Sequence, residues 1–79
     1  MIAHNLHTGS MSRELAAAIR TVNAAHNTIG GPELAGLKEA WVNLDRNLEV
    51  ARAAGDDAAA RRAVDTYQRD ALAEIEAAA

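Results

Sequence analysis

A chain of 79 residues with one Trp, one Tyr, no Phe, no Cys and twenty alanines has room for one small domain with a thin core, and lacks the thiols for disulfides or thiolate metal sites. Its net charge of −3, from eleven acidic and eight basic residues, argues against gripping nucleic acid by counterion release and is too mild for a mimic of the duplex. No apolar run approaches the roughly 18 residues of a membrane span, and the amino terminus lacks the basic flank and apolar centre of a secretory signal, so a soluble protein made in the cytoplasm is expected.

Residues 1–11 show no helical periodicity and contain Asn5, Thr8, Gly9 and Ser10, so they read as an extended arm in which Leu6 is the apolar residue free to meet a partner. Gly9 and Ser10 before Met11 also resemble an expression-vector remnant, which would make Met11 the natural start. Ser12 suits an N-cap and Glu14 a helical first turn. Leu15, Ile19, Val22, His26 and Ile29 then recur on one face, predicting a first helix over 12–28 that Gly30 and Gly31 stop.

Pro32 fits the first turn of a second helix over 32–54, because its missing amide proton costs nothing there. Leu34, Leu37, Trp41, Leu44, Leu48 and Ala51 are spaced 3, 4, 3, 4 and 3 apart, which gathers them onto one narrow seam. Gly55 reads as a left-handed stop, and Asp56 as the N-cap of a third helix over 57–78 whose seam is Val64, Tyr67, Ala71 and Ile75. Helices two and three, each about 34 Å long at 1.5 Å per residue, form an antiparallel hairpin because their turn is short. Asp57, Arg61, Asp65 and Arg69 make an i,i+4 ladder on the solvent side of helix three. The fold expected is all-α: a small three-helix bundle dominated by this hairpin, over residues 12–79, with an extended N-terminal arm.

Chemistry has little to stand on. His4 and His7 lie in the arm and His26 at the end of helix one, without a carboxylate at ligand spacing, so neither a metal nor a cofactor is expected. Asp56 and Asp57 are explained by capping, and Glu74 and Glu76 do not face each other on a helix. Gly30-Gly31-Pro32 lacks the lysine and following hydroxyl of a phosphate loop, and no Ser or Thr sits in a nucleophile motif. No catalytic residue is assigned and an enzyme is not expected. Trp41-x-x-Leu44, the Gly55-Asp56 turn and Tyr67 with Ala71 and Leu72 resemble part of a tetratricopeptide helical pair. Asp45 stands where that repeat has a small residue, and one repeat cannot bury its own face. No family is assigned on it.

The informative residues are those that break the pattern. With Trp41 at the centre of its stripe, Val42 falls about 100° away and Val50 about 180° away, and Leu72 leaves the line of its own helix. Together with Leu6 they are the candidate partner-binding residues, whereas Trp41 and Tyr67 are expected in the core. These features point to a non-enzymatic structural or interaction subunit that docks into a larger protein assembly, a small virion component being one instance. The alternative is a homodimeric regulatory bundle encoded by a mobile element, with the Leu/Trp seam joining two copies.

Overall fold

The computed structural model describes the backbone of residues 2–79 and the side chains of residues 13–79. Within those bounds the chain is three helices, α1 (Ile2–Thr28), α2 (Ala35–Ala54) and α3 (Asp57–Ala78), with no strand. The backbone ahead of Ser12 continues α1 and is not the extended arm expected, and Ser12 does not cap the helix. A helix anchored by packed turns adds one hydrogen bond per residue as it grows, so Gly9 weakens it by about 1 kcal/mol without stopping it. The expectations for Leu6, His4 and His7, and for a vector remnant, concern side chains and origin outside the described residues.

Both interhelical turns are built by glycine. Gly30 (φ 93°) and Gly55 (φ 66°) take left-handed conformations that L side chains disfavour. At the first, Gly30 N–H donates to the Asn27 carbonyl (3.0 Å) and Gly31 N–H to the His26 carbonyl (2.8 Å). At the second, Gly55 N–H donates to Arg52 (3.1 Å) and Asp56 N–H to Ala51 (2.9 Å). Each pair satisfies two carbonyls that the helix leaves open. Asp56 caps α3 as expected, its Oδ1 accepting from Ala59 N–H at 2.9 Å.

Helix α2 opens at Ala35, later than the Pro32 expected. Its N-cap is Leu34 in an extended conformation (φ −123°, ψ 120°) with no side-chain hydrogen bond. Pro32 belongs instead to the linker, where its carbonyl accepts from His26 Nε2 at 2.5 Å and is therefore turned toward α1 rather than along a new helix. The linker must span a gap. Helices α1 and α2 each pack on α3, while no close backbone approach joins α1 to α2.

The buried core is Ala18 and Val22 of α1, Ala40, Leu44, Leu48 and Ala51 of α2, and Ala60, Ala63, Val64, Tyr67, Ala71 and Ile75 of α3. Six of these twelve are alanine. Leu15, Ile19, Ile29, Leu34, Leu37 and Leu72 pack against it half-covered. The hairpin and the seam positions Leu44, Leu48, Val64, Tyr67 and Ile75 therefore stand as read. Trp41 does not. The centre of the α2 stripe lies at Ala40, leaving Trp41 at its edge and 47% exposed. Arg61 also differs from its expected place in a surface ladder, since it reaches across to Glu14 of α1 at 2.8 Å.

Candidate functional site

The gap between α1 and α2 is a cleft of about 450 Å³. Val22 and His26 form its α1 wall, Leu34, Leu37 and Trp41 its α2 wall, and Tyr67 of α3 borders it from below. Periodicity explains the placement. Val22 and His26 are one helical turn apart, as are Leu37 and Trp41, so each helix turns two successive residues of one face to the opening. The linker carries Leu34 to the same rim, and the His26–Pro32 hydrogen bond fixes how the linker leaves α1.

Trp41 is the most exposed part of this wall that is nevertheless held in place. Its ring meets Tyr67 edge to face, with centroids 5.6 Å apart and planes at 73°, an arrangement the ring quadrupoles favour. Tyr67 is buried, and burial pushes its phenol above the ordinary 10.0, so it stays neutral across the physiological range. The charged rim is weak. Glu33 and Lys38 pair at 3.7 Å with side chains 87% and 76% exposed, a geometry that contributes little. The cleft therefore offers aromatic and aliphatic surface with one imidazole and no concentrated charge.

The expected partner residues do not converge on it. Val42 and Val50 are exposed at 56% and 64%, as their angular positions required. Val50 borders a second cleft of about 390 Å³ near the Gly55 turn, beside Asn47, Arg62 and Thr66. Val42 lines neither cleft. Leu72 is not a free surface residue, because it packs against the core and is half-covered. His26, at the end of α1, is the tie to Pro32 and part of the cleft wall.

Among the described residues, no three His, Asp or Glu side chains come together to hold a metal ion, and no helix is long and apolar enough to cross a membrane. Among the described residues, no buried side-chain nitrogen or oxygen lacks a hydrogen-bond partner, so none of them marks a place for a ligand as an orphaned polar group. The chain matches no protein-family model, no curated protein and no solved structure, and the functional reading rests on the chemistry of the cleft.

Proposed function

We propose that this protein is a non-enzymatic helical interaction subunit that docks onto another protein through the cleft between α1 and α2, with Trp41 as its anchor. The observation that carries this reading is a large aromatic side chain, 47% exposed yet oriented by an edge-to-face contact with Tyr67. Pre-orientation lowers the entropy lost on docking, and Trp and Tyr dominate binding hot spots because they bury much area with few rotatable bonds. A weakly charged, apolar mouth suits an amphipathic helix or an apolar loop of a partner. A subunit of a larger assembly, such as a virus particle, is one setting for such a module, and a self-associating regulatory bundle is the second reading.

A photoreactive amino acid at position 41, expressed in the protein's own host, tests the reading. A defined protein adduct at 41, lost when the group is moved to the exposed Glu49, supports docking through the cleft. Absence of an adduct at 41, or equal adducts at both positions, overturns it. Solution mass over a roughly hundredfold concentration range separates the two versions: a monomer throughout removes self-association, whereas mass rising with concentration and abolished by Trp41→Ala favours the bundle.

A further inference from the structure

Helix α1 is attached to the molecule differently from the other two. Among the described side chains, ten of the twelve buried apolar residues belong to α2 and α3, while residues 13–28 of α1 supply Ala18 and Val22. Leu15, Ile19 and Ala25 of this stretch are covered only in part, as is Ile29 just past its end. The backbone of α1 approaches α3 closely and α2 nowhere. Among the described side chains, its polar ties to the rest of the chain include Glu14 to Arg61 at 2.8 Å and His26 to Pro32 at 2.5 Å, both at exposed positions. The connection to α2 contains two successive left-handed glycines, Gly30 at φ 93° and Gly31 at φ 62°, and a side chain's worth of open space surrounds Gly30. Glycine reaches both signs of φ at little cost, so this pair can take up a change in helix direction without strain.

We propose that α1 is a detachable strap: it opens as a unit about Gly30 and Gly31 while the α2–α3 hairpin stays folded. Opening uncovers the apolar side of α3 and removes Val22 and His26, one wall of the cleft. The physical basis is unequal burial, since an element holding a small share of the core is released at a smaller cost than unfolding the whole. The closed form presents a two-walled cleft beside Trp41, and the open form presents a hairpin with a free α3 face, so the strap sets which surface a partner meets. The consequence for a partner rests on the docking reading, whereas the opening itself is read by amide exchange and not by binding.

The test is native-state hydrogen exchange of the full chain, followed by NMR in rising sub-denaturing guanidinium. Amides of residues 18–28 should exchange through an opening at least about tenfold more frequent than that of residues 44–51 and 63–75, with a weaker denaturant dependence because less surface is exposed. Leu48→Val loosens the hairpin core, so it should raise exchange in α2 and α3 severalfold while leaving α1 within about twofold. One shared rate class and slope for all three helices overturns the proposal, as does Leu48→Val raising exchange in α1 by the same factor. Should that variant fail to fold, the denaturant series on the unaltered chain decides alone.

Discussion

Helix α2 begins without a side-chain cap and without an acidic residue in its first turn, and the carboxylate of Glu74 in α3 lies beside that turn. A Cβ placed on Gly36 would overlap the Glu74 carboxylate and come within 2.6 Å of its Cγ, so the carboxylate lies against the first turn of α2, where unsatisfied amides give the helix its positive end. Gly36→Ala therefore has two opposed effects. Replacing a helical glycine gains about 0.5–1 kcal/mol, and evicting the carboxylate loses the dipole interaction, about 0.3–1 kcal/mol for an exposed group. The single variant should come out within about 0.5 kcal/mol of the parent. Glu74→Ala should cost about 0.3–1 kcal/mol, and adding Gly36→Ala to it should recover the full helix gain, giving a coupling comparable to the dipole term. Urea unfolding followed by far-UV circular dichroism measures all four chains, and repeating it in about 1 M salt should shrink the cost of Glu74→Ala. Equal stabilisation by Gly36→Ala with and without Glu74 would refute the argument.

Gly55→Ala should cost about 1 kcal/mol, since nothing lies within 4 Å of a Cβ there and the penalty is that of a left-handed L residue; Gly55→Asn should cost less, and an alanine variant as stable as the parent in urea would contradict the cap. Leu44→Ala, at 3% exposure, should cost about 2–5 kcal/mol, whereas Trp41→Ala, removing a residue 47% exposed, should cost less than Leu44→Ala despite the larger side chain lost; the reverse order in chemical unfolding would return Trp41 to the core. Burial raises the Tyr67 phenol above 10.0, so folding favours its neutral form. That contribution is fully present below the unfolded value and is lost as pH rises through the folded one. Tyr67 is the single tyrosine, so tyrosinate absorbance reports it directly, and Tyr67→Phe should remove its share of the stability lost as pH rises above the ordinary tyrosine value of 10.0. An unchanged alkaline loss in that variant would show that the phenol is not the cause.

What the chain discloses of itself divides along physical lines. Local chemistry was readable: Gly55 followed by Asp56 has one sensible reading, a left-handed stop and a cap, and both are found. The hairpin follows from that turn and from leucines in helical register. Helix starts were less readable. Pro32 is permitted in a first turn but not required there, and the hydrogen bond to His26 that keeps it in the linker joins residues six apart in sequence. The rotation of α2 was hidden for a different reason. A stripe drawn through large residues places Trp41 at its centre, whereas the spacing between α2 and α3 is set by the small ones, Ala40, Ala51, Ala60, Ala63 and Ala71. Weighting alanine as a core residue in its own right would have turned the stripe toward Ala40 and put Trp41 on the rim. Leu72 lies off the line of Val64, Tyr67 and Ile75, is half-covered against the core and borders a surface groove with Asp65, Gln68 and Arg69; α3 packs on two helices, so its apolar residues are not confined to one line.

That last point links the architecture to the cleft. A helix flanked by two others whose backbones do not approach each other closely has to be apolar over a wide arc, and α3 meets this requirement with small side chains at Ala60, Ala63 and Ala71 and larger ones at Val64, Tyr67 and Ile75. Alanines let α2 sit close but give little apolar area, roughly a methyl group each. Leu44 and Leu48 of α2 are buried in this seam, while Leu37 and Trp41 lie at its edge on the side facing α1. In a closed three-helix triangle α1 would cover them. Here the linker from Ile29 to Leu34 carries the chain from α1 to α2 across an opening, so these edge residues line a mouth. The thin alanine seam and the exposed aromatic wall are consequences of one packing choice, and widening the seam, for instance with larger residues at positions 40 and 63, would alter both together.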